Sequence, residues 1–155
     1  MAVEFYSKLE AYGEFSNFSP HGIQMDGLWY PTVEHYFQAM KFPGHEQAEK
    51  IRCSANPKLA KQLGRTRKVA LRDDWEDVKI DIMRSAVRAK FTTHKELTRL
   101  LIGTGEEELV EAAPSDYFWG CGKSGSGQNW LGRLLMEVRQ ELRDEAMEKE
   151  GRVIS

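Results

Sequence analysis

Trp29-Tyr30-Pro31-Thr32-Val33-Glu34-His35-Tyr36-Phe37-Gln38-Ala39-Met40-Lys41-Phe42 reads as a strand end that turns into a helix. Thr32 can accept a hydrogen bond from the first helical turn, Pro31 has no N–H to give, and Val33, Phe37 and Met40 recur at helical spacing. At about 100° per residue, Glu34, Gln38 and Lys41 stand at i, i+4 and i+7 and fall within roughly 60° of one another. A carboxylate, an amide and an ammonium therefore share one stripe. One reading makes that stripe a solvated face, where such pairings contribute about 0.2–0.5 kcal/mol each. The other makes it the polar side of a ligand pocket. Trp29, Tyr30, Tyr36, Phe37 and Phe42 are more aromatic surface than one buried face needs, and aromatic walls around a few polar groups favour the pocket.

The rest of the chain is consistent with one domain built around that helix. At 155 residues, 41% hydrophobic and 30% charged, it can bury a core without disulfides or metals. Residues 1–147 are expected to form a single domain and 148–155 a charged, frayed tail. No apolar run has the length of a membrane span and no secretory signal opens the sequence, so the expected compartment is the cytoplasm. Cys53 and Cys121, with four histidines, make neither a disulfide framework nor a metal-ligand spacing, and neither metal nor cofactor is expected. The net charge of −2 excludes a protein that binds nucleic acid with its whole surface, so any phosphate affinity is local.

Val3 to Tyr6 reads as a strand, and Glu14 to Pro20 as a loop with Phe15 and Phe18 embedded in it. Those rings either plug the core or, with Asn17, line a site. Gly22 to Met25 and Leu28 to Tyr30 flank Asp26-Gly27, a hairpin signal. Helices follow over His45 to Cys53 and Pro57 to Leu63, the latter capped by Asn56 and stopped by Gly64. Gly64 to Lys68, with Arg72 beyond, is a basic loop that reads as solvated surface or as a phosphate cradle. From Asp73-Asp74 a long helix carries Trp75, Val78, Ile82, Ala86 and Ala89 on one stripe, with Trp75 either core or pocket wall. Lys90-Phe91 ends it, and Thr93 with Glu96 suggests a capping box for a helix over Lys95 to Ile102. Glu108 to Ala112 reads as a strand, and Leu131 to about Met147 as an amphipathic helix. Between them the glycines at 120, 122, 125 and 127 lack the spacing of a P-loop, and bracketing tryptophans suggest a tight loop whose backbone approaches a ligand.

Ser16-Asn17-Phe18, the Trp29 to Phe42 stretch, Arg88-Ala89-Lys90-Phe91, and Tyr117-Phe118-Trp119-Gly120 with Asn129 and Leu131-Gly132 together resemble the NADAR family. The resemblance runs from about Phe5 to Leu142. It implies an α+β fold, a small mixed or antiparallel sheet covered by several helices, and an N-glycosidase that hydrolyses a bond between ribose C1 and a base nitrogen. The foremost substrate it suggests is ADP-ribosylated guanine in single-stranded DNA. Ribosylaminopyrimidine phosphates of riboflavin biosynthesis are the alternative, and a non-catalytic reader of ADP-ribose or NAD derivatives is the second. Breaking such a bond builds cationic character on the sugar, so the chemistry requires a carboxylate near C1, a proton for the departing nitrogen and a nucleophile. By resemblance Glu34 and Asp116 are the catalytic carboxylates, and Lys41 or Lys90 is the amine that could form a Schiff base. Trp75 and Trp119 would hold the base or exclude water. Arg52, Arg65 and Arg67, with the backbone from Gly120 onward, would take phosphate, while Asn17, Phe18, Gln38 and Asn129 complete the expected contacts.

Overall fold

The Thr32 side chain accepts a hydrogen bond from the His35 N–H and so opens helix α1, Val33–Ala39, where the sequence places it. The computed structural model describes residues 2–7 and 10–154, with side chains through Gly151. Before α1 come strand β1 (Ala2–Phe5), a 3-10 turn (Gly13–Phe15), and strands β2 (Ile23–Met25) and β3 (Leu28–Tyr30). After it come α2 (Glu46–Arg52), α3 (Pro57–Gly64), α4 (Trp75–Thr93), α5 (Lys95–Gly103), β4 (Glu108–Glu111) and α6 (Trp130–Ile154).

The fold is α+β, as expected, and among the described residues its strands form two separate two-stranded sheets. β1 pairs in parallel with β4, with Phe5 opposite Glu111, while β2 and β3 form a separate antiparallel hairpin. Asp26 and Gly27 both take positive φ, 52° and 80°, as a two-residue hairpin turn requires. Parallel pairing needs a long crossover, and four strands of three or four residues offer too little edge to join across it.

Every residue of α1 is buried, because α2, α3 and α4 pack around it. His35 ties this packing together: Nε2 donates to the Ser54 carbonyl and Nδ1 meets the Thr32 hydroxyl at 2.8 Å. Below, Met83, Ala86, Val87 and Phe91 of α4 meet Leu131, Leu134, Leu135 and Val138 of α6 in the core. Each such side chain stabilises the fold by about 1.5–3 kcal/mol on burial. Phe15 is core, edge-on to both Phe5 and Phe91, which seats the loop before Asn17 on that floor.

Three local expectations are corrected. Helix α4 runs on to Thr93, so Thr93 is helical and no capping box with Glu96 forms. The break instead falls at His94, whose Nε2 reaches the Gly22 carbonyl oxygen at 2.8 Å. Burial of Phe91 in the core keeps the last turn of α4 wound. Finally, α6 continues past Met147 to Ile154; Ser155 and the side chains of 152–154 lie outside the described residues.

Candidate active site

Glu34, Gln38 and Lys41 do share one face, and that face is a wall rather than a solvated surface. Glu34 is 7% exposed and Gln38 4%, and the Gln38 amide Nε2 donates to Glu34 Oε1 at 2.9 Å. Lys41 follows the end of α1 and donates to the Gly64 carbonyl at 3.4 Å. All three line a cavity of about 300 Å³ between α1, α3, α4, the loop after the 3-10 turn and the segment following β4. Ser16, Asn17 and Phe18 close one side and Phe37, Trp75, Met83 and Trp119 another, while Arg65 and Asp116 complete much of the charged rim. Phe37 meets Trp75 and Trp119 at 5.0 and 5.4 Å between ring centres, so Trp75 serves both as core and as cavity wall.

The electrostatics of these groups follow from burial. Burial raises the Glu34 carboxyl above its usual range, opposed by the Gln38 hydrogen bond and by Lys61 and Lys41. Burial lowers the Lys41 amine, with Glu34 opposing, which raises the fraction of it that is a nucleophile. Asp116 Oδ1 accepts from the Phe118 and Trp119 N–H groups at 3.0 and 2.8 Å, so one of its oxygens holds the loop that carries Trp119.

Five residues expected at the site lie elsewhere. Arg52 sits on α2, paired with Glu49 and donating to the Trp29 carbonyl, where it braces the hairpin against α2. Arg67 faces an adjoining hollow that shares Lys41 and Arg65 with the cavity. Lys90 is 1% exposed and its amine donates to the Ser16 carbonyl at 2.9 Å, beneath the loop rather than in the cavity. Gly120 is packed so closely that a Cβ there would meet the Glu111 carbonyl at 2.9 Å. Asn129, with φ of 53°, spends its amide on β4, accepting from the Glu111 N–H and donating to the Leu109 carbonyl. Much of the backbone after Gly120 bonds to itself and its neighbours: Gly127 N–H meets the Cys121 carbonyl and Gln128 N–H that of Tyr117.

Three charged wall residues escaped the sequence reading: Lys61, Lys79 and Glu111. Signals for two of them were present. Lys79 stands four residues after Trp75 and four before Met83, on the same stripe of α4. Its amine lies 4.1 Å from the Phe118 ring centre. Glu111 is two residues beyond the fully buried Leu109 in a strand, hence on the same inward face. Lys61 follows from how α3 packs on α1, which no local pattern encodes. Among the described residues, no three His, Cys, Asp or Glu side chains are grouped to hold a metal.

The NADAR domain profile matches residues 4–143. A Nostoc punctiforme protein named an N-glycosidase is 48% identical over 147 residues, covering 93% of this chain and 94% of that protein. The Escherichia coli protein YbiA, also named an N-glycosidase, is 48% identical over 140 residues, 90% of this chain and 88% of that one. Its NMR structure superposes with a TM-score of 0.88 at 47% identity, covering 95% of this chain and 88% of the other. A maize chloroplast protein named for riboflavin biosynthesis is 44% identical over 155 residues, spanning 90% of this chain but 25% of that longer protein.

Proposed function

The chain belongs to the NADAR domain family and is an N-glycosidase, a hydrolase of N-glycosyl bonds, and from that premise we propose that its substrate is a ribosylamine nucleotide of the riboflavin-intermediate type. The observation that carries this reading is the cavity's make-up. Carboxylates (Glu34, Glu111, Asp116) and cations (Lys41, Lys61, Arg65, Lys79) converge between aromatic walls in about 300 Å³, room for a phosphorylated pentose and one ring. The naming of the maize relative for riboflavin biosynthesis supports the same class.

In this reading Glu34 stabilises the cationic sugar and takes a proton from the attacking water, its charge sustained by Gln38, Lys61 and Lys41. Asp116, with one oxygen bound to the loop, orients ribose hydroxyls with the other. Arg65 and Lys61 hold the phosphate, and Trp75, Trp119 and Phe18 flank the base. Lys41 is the only one of the two candidate lysines that lines the cavity, so an opened-sugar Schiff base, if one forms, forms there.

The second reading, removal of ADP-ribose from guanine in single-stranded DNA, is favoured by one feature. The adjoining hollow carries Arg65, Thr66 and Arg67 away from the cavity and could seat a diphosphate or a strand. Mass spectrometry of two substrates side by side separates the two: a ribosylaminopyrimidine 5-phosphate and a guanine-ADP-ribosylated oligonucleotide. Ribose 5-phosphate released from the first by wild type, and reduced at least 100-fold by Glu34→Gln, is the expected result. Restoration of guanine in the oligonucleotide with the metabolite left intact would establish the second reading instead.

A further inference from the structure

Among the described residues, two buried side-chain polar atoms make no hydrogen bond, and both belong to the walls of the cavity: Gln38 Oε1 and Glu111 Oε2. The carboxyl of Glu111 differs from its neighbours in just this respect. Glu34 Oε1 has the Gln38 amide, and Asp116 Oδ1 has two backbone N–H groups. Glu111 Oε2 has none, although burial makes an unpaired ionised carboxylate costly. Its side chain also forms part of the partition between the described cavity and a second one of about 390 Å³, lined by Tyr6, Ser7, Ala113 and Ser115 among others. Glu111 thus lines the cavity while its Oε2, itself buried, has no protein donor, a bond that a ligand atom entering the cavity can supply once the carboxyl turns toward it.

We propose that Glu111 is the proton donor to the nitrogen that leaves ribose C1. The proposal rests on the reading of the cavity as a ribosylamine N-glycosidase site. As the C1–N bond breaks, its electron pair stays on nitrogen and the carboxylic proton of Glu111 passes to that nitrogen, releasing a neutral amine. Water adds to C1 and gives its proton to Glu34, and transfer of that proton through solvent to Glu111 restores both groups. Sugar and amine leave with one water consumed.

The surroundings suit an acid that is protonated near neutrality. Burial, then Asp116 beyond β4 and Glu34 on α1, push the Glu111 carboxyl up to about 7, with Lys61 on α3 opposing them. Burial raises Glu34 as well, but its Oε1 accepts from the Gln38 amide and Asp116 Oδ1 accepts from two backbone N–H groups, whereas Glu111 Oε2 has no donor. The division of labour is therefore a proton donor on the strand and a base on the helix.

The test compares wild type with Glu111→Gln, which preserves shape. On the ribosylaminopyrimidine 5-phosphate, kcat should fall on the order of 100-fold or more with KM within a few-fold, and the decline of kcat above pH 7 should vanish. On 4-nitrophenyl ribofuranoside 5-phosphate, whose phenolate departs without a proton, the variant should stay within about five-fold of wild type. Equal loss on both probes, or near-wild-type turnover of the amine substrate, would overturn the assignment. A reading free of turnover comes from carbon-13 NMR of labelled glutamate carboxyls: the resonance missing in Glu111→Gln should titrate near pH 7, and a midpoint in the ordinary carboxylate range would overturn the donor role. If wild type leaves the ribosylamine intact, the substrate reading falls while the NMR arm still decides the state of Glu111.

Discussion

Lys90 shows what one buried amine does for the site without entering it. Its donation to the Ser16 carbonyl fixes the start of the loop that carries Asn17 and Phe18 into the cavity. Burial lowers the amine to about 7, so the native state binds fewer protons than the unfolded chain from there up to the ordinary lysine range. Stability contributed by this group therefore rises with pH across that window, by up to about 1.4 kcal/mol per pH unit, and is flat below it. Replacing Lys90 by Met should remove that slope, which urea unfolding at pH 7, 8 and 9 reads directly; an unchanged slope would show that the amine is solvated. The residue pattern marked Lys90 as important but not why. Whether a lysine at a helix end faces water or lies under a loop depends on the loop, 74 residues away in sequence.

At the scale of elements, the site depends on how closely α1 and α3 approach. Gly64 at the end of α3 permits that approach, since a Cβ there would lie 2.0 Å from Gln38 Oε1 and 2.8 Å from its Cδ. Gly64→Ala should therefore swing the Gln38 amide off Glu34. We expect kcat to fall at least about ten-fold while circular dichroism and the melting midpoint change little, because only a side-chain end must move. Full activity in that variant would mean that the Glu34–Gln38 bond has no role in turnover. The caps of α1 and α3, the hairpin at Asp26-Gly27 and the stripe of α1 were all legible, because each is set by residues within four positions of one another. The end of α4 was not. There the local cap signal at Thr93 yields to the burial of Phe91 and the tie from His94 to Gly22.

For the whole molecule, the cavity is where separate parts of the chain meet, so a ligand in it should act as a clamp. Ribose 5-phosphate, which shares the sugar and phosphate of the proposed substrate, should stabilise the fold by about 2.7 kcal/mol at a concentration one hundred times its dissociation constant. For a chain of this size that corresponds to a rise in Tm of about 5–10 °C. The rise should shrink in a variant with Lys61 and Arg65 both changed to Ala, measured by calorimetry with and without the ligand. A rise equal to wild type would place the phosphate away from α3. The outer face of the molecule serves stability instead: Arg84 and Arg88 on α4 pair with Glu137 and Glu141 on α6, and Arg143 of α6 pairs with Glu106. These pairs are partly exposed and contribute little each, about 0–1 kcal/mol.

What the sequence determined alone is what short-range chemistry can specify. It placed most helices, the hairpin, and the carboxylate, amide and amine of α1 on one stripe, and through its motifs it pointed to the family and its reaction. Tertiary structure decided the rest. It put Arg52 on the outside, Lys90 beneath the floor and the glycine loop on itself, and brought Lys61, Lys79 and Glu111 into the wall. The reason is physical: a side chain's charge state and access to a ligand are fixed by what is packed around it, and here those neighbours come from helices and a strand distant in the chain.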